Sequence, residues 1–150
     1  LIVYDPDPFY NLDQQVCESF AKSIAENGWF AQVASVSAKQ MDASRYILYV
    51  FCANTYNWSP DWAITGYIKN NVIIKNKNVV AITLGGGSTD RSKTVFEKLI
   101  KDAGANLIGS QTYWLWRPHA EAQPKKSNVK AAVEMAGQFA GKIAHQISKP

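Results

Sequence analysis

The side chains able to do chemistry gather in a few short stretches. Asp5 and Asp7 stand in Asp5-Pro6-Asp7-Pro8, behind the apolar run Leu1-Ile2-Val3-Tyr4 and ahead of Tyr10, Asn11 and Leu12. Tyr56, Trp58 and Trp62 fall within seven residues, just after Asn54 and Thr55, and Tyr113, Trp114 and Trp116 form a second aromatic group. Between the two groups lies Gly85-Gly86-Gly87. Aromatic rings can flank a planar heterocycle, and adjacent glycines let the backbone approach a ligand closely. Paired carboxylates can serve as nucleophile and acid/base, or can repel an anion. Each feature has a plainer reading: the rings cover sheet ends or make a homodimer contact, and the glycines form only a flexible turn.

The hydropathy pattern supplies a frame for these residues. After a first strand at Leu1–Tyr4, Asn11 can cap a helix in which Leu12, Val16, Phe20 and Ile24 recur every four residues, with Gly28 as its stop. Phe30 to Val36 alternates like a second strand, and Ala38 to Ala43 reads as a helical turn. The unbroken apolar run Tyr46–Phe51 suits a third strand covered on both faces. A long loop, Cys52 to Pro60, follows it. Ser59-Pro60-Asp61 is the best helix start: Ser at the N-cap, Pro in the first helical position, Asp at the positive end of the dipole. That helix runs to about Asn70 and a Lys/Asn turn, then Val79–Leu84 forms a fourth strand ended by the glycines. Thr89 or Asp90 caps a helix burying Val95, Phe96, Leu99, Ile100 and Ala103, with Gly104 as its stop. Leu107–Tyr113 is a fifth strand, Arg117–Lys126 an exposed loop, and a last helix carries Val129, Ala132, Val133, Ala136, Phe139, Ala140, Ile143 and Ile147 on one stripe. Strict alternation with right-handed crossovers predicts an α/β three-layer doubly wound sandwich. Its five-stranded parallel sheet has the order 2-1-3-4-5. Such sheets bind ligands beyond the C-terminal strand ends, where helix N-termini offer free N–H groups. The stretches above fall there.

Bulk properties narrow the classes. A chain of 150 residues with 47% hydrophobic content fits one domain over 1–150 with a full core. The net charge of +4 is spread, with local concentrations only at Lys125-Lys126 and around Lys75 and Lys77, so nucleic acid is not expected as a partner. No apolar run nears the ~20 residues of a membrane span. The sequence opens inside a strand pattern, with no signal peptide and no initiating Met, and the expectation is a cytoplasmic protein with an upstream segment allowed. Cys17 and Cys52, without a cysteine nearby in sequence, read as reduced and structural. His119, in a Pro-bounded loop, and His145, on the last helix, read as exposed polar residues, and no metal site is expected.

Taken together, the alternating units, the loop Cys52–Pro60, Ser44-Arg45-Tyr46 before the third strand, Thr55-Tyr56 after it, and Val79–Gly87 followed by the helix to Ala103-Gly104-Ala105 resemble the flavodoxin-like family. The resemblance covers the chain from Leu1 to about Ile147. It implies flavin mononucleotide (FMN) held by loops at the C-terminal strand ends. The phosphate loop would be Asp5, Asp7, Tyr10, Asn11 and Leu12; the ring would lie among Asn54, Thr55, Tyr56, Trp58, Gly85, Gly86, Gly87 and Tyr113. It also implies a redox role, as electron carrier or as a small NAD(P)H-dependent reductase, with a redox protein as partner. No side chain stands out as a catalytic acid or base.

The phosphate loop departs from the family pattern of hydroxyl residues and glycine. Only Asn11 keeps its place, Pro6 and Pro8 supply no N–H, and Asp5 and Asp7 repel. At about 5 Å and an effective dielectric of about 20, each carboxylate opposes a phosphate charge by roughly 3 kcal/mol, against about 1–2 kcal/mol from the helix N-terminus. Phosphate in the usual pose is disfavoured, which leaves the N–H groups of Asp13 and Gln14 for a displaced one. The alternative is a flavin-less protein of this fold that binds a partner or another planar molecule through its aromatic strand ends. Leu1–Asp7 also resembles the Asp-x-Asp opening of haloacid-dehalogenase-like phosphatases, whose Mg²⁺ needs a later acidic pair. Neither the fourth nor the fifth strand ends in one. A phospho-receiver domain would need an Asp ending the third strand and a Lys ending the fifth, and both are missing.

Overall fold

Tyr49 to Ala53 and Val79 to Ile82 are fully buried, which requires strands covered on both faces. The computed structural model describes residues 1–38, 42–70, 74–119 and 127–147. Its elements run β1 (Ile2–Tyr4), α1 (Leu12–Glu26), β2 (Val33–Ser35), a 3-10 turn at Ala43–Arg45, β3 (Leu48–Tyr56) and β4 (Ser59–Pro60). They continue with α2 (Trp62–Asn70), β5 (Asn78–Gly85), α3 (Asp90–Asp102), β6 (Asn106–Trp114) and α4 (Asn128–Ile147). The sheet order is β2-β1-β3-β5-β6, and every pair along it is parallel. That is the predicted doubly wound order, with one addition: β4, a two-residue strand, pairs antiparallel with β3 and makes the sheet six-stranded.

Strand alternation sorts β3 onto two cores. Leu48, Val50 and Cys52 face α1 and α4, where Val16, Phe20, Ala136 and Ile143 cover them. Tyr49, Phe51 and Ala53 face α2 and α3, against Ile64, Ile68, Phe96 and Ile100. None of the described helices is long and apolar enough to cross a membrane.

Several expectations need correction. β2 is only Val33–Ser35, because Phe30 is well exposed and outside the ladder. The expected long loop after the third strand is mostly strand: β3 continues to Tyr56 and turns back through Asn57 and Trp58, with φ of 48° and 59°, into β4. Two consecutive positive φ values are the signature of a two-residue hairpin turn. Ser59 and Pro60 therefore pair with β3 instead of starting a helix, and α2 begins at Trp62 behind an Asp61 cap. Val95 is exposed, outside the buried stripe of Phe96 and Ile100. Cys17 and Cys52, far apart in sequence, bring their thiols together where α1 crosses β3. Burial first, and then Cys17, push the Cys52 thiol well up, and both thiols are free and buried. The expected turn at Ala38–Ala43 lies partly outside the described residues, as do the Lys/Asn turn at Asn71–Ile73 and the stretch Ala120–Lys126 with Lys125-Lys126.

Two glycines predict opposite outcomes. A Cβ on Gly109 of β6 would meet Phe139 Cζ at 2.8 Å and Ile143 Cδ1 at 2.9 Å, and Phe139 is itself held edge-on by Phe20. Gly109→Ala should lower unfolding stability by about 1–3 kcal/mol, as overpacking does. Gly66, inside α2, has nothing within 4 Å of its would-be Cβ. Gly66→Ala should raise stability by roughly 0.5–1 kcal/mol. Urea midpoints of both variants check the pair of signs.

Candidate functional site

At the C-terminal ends of β1 and β3 a hydrogen-bond network is built almost wholly on carboxylates. Asp13, in the first turn of α1, is 1% exposed. Its Oδ2 accepts the N–H of Asp7 at 2.7 Å and the Asn54 Nδ2 donor at 3.0 Å, and its Oδ1 accepts the N–H of Gln14 at 2.7 Å. Asp7 then turns on its own loop: Oδ1 accepts the N–H groups of Phe9 at 2.8 Å and Tyr10 at 2.9 Å, and Oδ2 accepts the Tyr56 hydroxyl. Asn54 also donates from Nδ2 to the Asp5 carbonyl at 3.2 Å. Its main chain is clasped by Asp61: the Asn54 N–H donates to Asp61 Oδ2 at 3.0 Å, and the Asp61 N–H donates to the Asn54 carbonyl at 2.9 Å. Asp61 Oδ1 caps α2 by accepting the Ile64 N–H at 2.8 Å.

These bonds set the charges. Partial burial pushes the Asp7 carboxyl up, but Tyr56 and the N–H groups of Phe9 and Tyr10 outweigh it and hold Asp7 below the usual carboxylate range. Burial first, then the Asp13 carboxylate, push Asp5 up. Asp61 is pushed up to about 6 by burial, opposed by the Ile64 and Asn54 N–H groups. Burial and then Asp7 push the Tyr56 phenol up. Among the described residues, none of these carboxylates has a salt-bridge partner.

The third wall is made by β5, β6 and the chain beyond them. Leu115 N–H donates to the Gly85 carbonyl at 2.9 Å and Arg117 N–H to the Gly86 carbonyl at 3.1 Å, which carries Trp116 back over the glycines. A Cβ on Gly86 would lie 2.7 Å from the Trp116 ring, so it is the missing side chain that lets the ring lie there. Tyr10 meets Trp116 edge-on, with ring centroids 5.8 Å apart. Behind them, Trp114 Nε1 donates to Thr89 Oγ1 at 2.9 Å, and the Arg117 guanidinium lies 4.7 Å over the Trp114 ring.

The three walls enclose a cavity of about 250 Å³. Of the residues expected at the site, Asp7, Tyr10, Leu12, Asn54, Thr55, Tyr56, Gly85 and Gly86 line it. Phe9, Leu84, Leu115 and Trp116 line it as well. Of these, only Trp116 belonged to a group the sequence had marked. Five expected residues lie elsewhere. Asp5 contributes its carbonyl behind the wall. Asn11 sits at the α1 N-cap position without a capping bond and accepts from Gln15 Nε2. Trp58 stands at the hairpin tip, 60% exposed. Gly87 lies beside Arg117. Tyr113 is 1% exposed, because its strand position pairs with Leu84 and turns inward. His119 also differs from expectation: it is partly buried, its Nε2 accepting the Trp114 N–H at 2.9 Å. A larger cavity, about 490 Å³, opens among Leu1, Phe20, Trp29, Tyr46 and Leu48. Among the described residues, Arg45 is the one charged side chain in its lining, and few polar groups converge there.

An FMN phosphate does not fit this loop. The N–H groups of Asp7, Phe9, Tyr10 and Gln14 are all taken by the chain's own carboxylates, and of the two groups expected to serve a displaced phosphate, Asp13 and Gln14, the second is thereby engaged. Nor does the loop suit a phosphoryl-transfer nucleophile, since both Asp7 oxygens are engaged and Asp5 does not line the cavity.

Two predictions follow from this geometry. Gly86→Ala should displace the Trp116 ring and change tryptophan emission, while stability falls by about 1–2 kcal/mol. Asp61 has a folded pKa raised from 3.8 to about 6, so it favours folding below pH 4 and loses that contribution as pH rises through 6. The full shift corresponds to about 3 kcal/mol as an upper bound. Asp61→Asn should therefore be most destabilising near pH 4 and markedly less so at pH 7.5, as urea midpoints across that range will register.

Comparison with known proteins agrees with this geometry at the level of fold. No protein-family model matches the sequence. The curated bifunctional purine biosynthesis protein PurH of Clostridium beijerinckii is 28% identical over 76 residues, 51% of this chain and 15% of that protein's length. Among solved structures, a flavodoxin from the domain Archaea superposes with a TM-score of 0.74 at 11% identity, covering 97% of this chain and 96% of that one. The two-electron reduced flavodoxin of Megasphaera elsdenii gives a TM-score of 0.68 at 12% identity, over 92% of this chain and 99% of that one. The flavodiiron protein from Giardia intestinalis gives 0.73 at 13% identity, over 96% of this chain, which spans 34% of that protein. By sheet order, layers and superposition, this chain is flavodoxin-like in fold.

Proposed function

We propose that this chain is a flavodoxin-like redox protein that holds the flat ring of a flavin in its strand-end cavity. It would act as an electron carrier or as a small reductase taking electrons from a nicotinamide donor, in the cytoplasm. One observation carries the reading: three loops from β1, β3 and β5 converge on a single cavity edged by Tyr10, Tyr56 and Trp116. Its volume of about 250 Å³ lies just below the ~300–1,000 Å³ usual for small-molecule sites, a size for one ring system. FMN is the flavin that the resemblance implies. Tyr10, Tyr56, Asn54, Thr55, Gly85 and Gly86 would meet the ring, Asp7 and Leu12 would edge it, and the flavin would supply the redox chemistry. Phe9, Trp58 and Trp62, all exposed, give a redox partner an aromatic surface beside the cavity.

A second reading is a flavin-less protein that binds a partner or another planar molecule through the same aromatic surface. Trp58 favours it: a bulky residue held at φ 59° and 60% exposed is strained where glycine is usual, as sites of recognition often are.

The absorbance of freshly purified protein separates the two. Bands near about 375 and 450 nm, or their appearance with quenched flavin fluorescence on adding riboflavin or FMN, would uphold the flavin reading. A colourless protein that quenches neither flavin would overturn it.

A further inference from the structure

Resting on the flavin reading, we propose that the chain's own carboxylates replace the ligand's phosphate, so that the cavity selects a flat conjugated ring without a phosphate ester over its phosphorylated form. The loop between β1 and α1 has two ways to bind an anion, its N–H groups and the N-terminus of α1, and carboxylates of the chain already engage donors of both. Asp7 Oδ1 spans the Phe9 and Tyr10 N–H groups at 2.8 and 2.9 Å, as a phosphate oxygen would. Asp13 takes the N–H groups of Asp7 and Gln14, the second of them in the first turn of α1. Pro6 and Pro8 contribute no donor.

Charge then acts in the same direction as geometry. Tyr56 and two main-chain donors keep Asp7 ionised at neutral pH, and no described cation pairs with it or with Asp13. An incoming phosphate would meet these carboxylates with the N–H groups of Asp7, Phe9, Tyr10 and Gln14 already engaged. The ring end meets no such obstacle: Tyr10, Tyr56, Trp116 and the Gly85-Gly86 backbone border the cavity. A second observation gives the arrangement a purpose. The Tyr56 hydroxyl donates to Asp7 Oδ2, so the carboxylate that fills the phosphate position also holds an aromatic wall of the cavity.

The test titrates riboflavin and FMN separately into the purified protein and follows fluorescence quenching. Riboflavin should bind more tightly than FMN, by about tenfold to a hundredfold at low salt for one uncompensated carboxylate. Raising ionic strength from about 0.01 to 0.15 M should narrow that gap by strengthening FMN alone, because only FMN is repelled. Asp7→Ser, which removes the charge, frees two N–H groups and releases the Tyr56 hydroxyl, should raise the affinity for FMN relative to riboflavin by about tenfold or more, whatever the loss of the Tyr56 contact costs both ligands. Asp7→Asn, with the charge gone but the N–H groups still engaged, should give an intermediate gain for FMN. Tighter binding of FMN by the parent would overturn this inference and leave the flavin reading standing. Equal gains for both ligands in Asp7→Ser would overturn it too, since the loop would then act by shape. Failure of the parent to bind either ligand would remove the flavin reading and this inference with it. The salt series needs no variant, so a misfolded substitution leaves the proposal open to refutation.

Discussion

A buried carboxylate without a cation is the constraint on which the strand-end region depends. Taking a charged oxygen out of water is expensive unless donors replace the water. Asp13 finds them in three places: the β1–α1 loop through the Asp7 N–H, its own helix through the Gln14 N–H, and β3 through Asn54 Nδ2. One side chain therefore fixes the loop, the start of α1 and the end of β3 relative to each other. Asp61 repeats the device on the far side of Asn54, joining β3 to the start of α2. Asn54 is the hinge pin between them, 9% exposed and bonded on both sides.

The aromatic walls follow from that arrangement. With Asn54 clasped, β3 continues to Tyr56 and the chain must reverse within Asn57-Trp58 to bring Asp61 back beside it, which puts a tryptophan into a left-handed conformation. Asp7, steered by Asp13, then meets the Tyr56 hydroxyl. On the other side Gly86 makes room for the Trp116 ring, and Trp116 meets Tyr10 on the first loop. A fold whose relatives in shape include flavodoxins thus carries a ring-sized cavity beside a cradle already satisfied from within.

The sheet was legible because its signals are local and strong. The runs at Tyr46–Phe51 and Val79–Leu84 read as strands covered on both faces, which holds for Val79–Leu84 and, in the first run, from Leu48 on, since Tyr46 closes the 3-10 turn and Ile47 is exposed; the four-residue spacing from Leu12 to Ile24 reads as one helix stripe. Position at the strand ends was legible too, which is why most of the expected first- and third-loop residues reach the cavity. What was not legible depended on pairing across the chain. Ser59-Pro60 reads locally as a helix start, but backbone pairing with Thr55 and Tyr56 overrides that preference and passes the cap to Asp61. The hairpin lacked its usual glycine, so Asn57-Trp58 gave no turn signal. Tyr113 was misplaced because the side a strand residue faces depends on register, and pairing with Leu84 turns it inward. Asp13 stood out only for its N–H group, and nothing in its neighbours announced that Asn54 would come to its carboxylate from another strand.

Everything at this end of the sheet turns on carboxylates of the chain holding the N–H groups of Phe9, Tyr10 and Gln14. The most direct measurement follows the backbone amide resonances of Phe9, Tyr10 and Gln14 in ¹⁵N-labelled protein while inorganic phosphate is added at constant ionic strength. These resonances should stay where they are throughout the titration. Saturable shifts confined to those three amides would contradict that expectation.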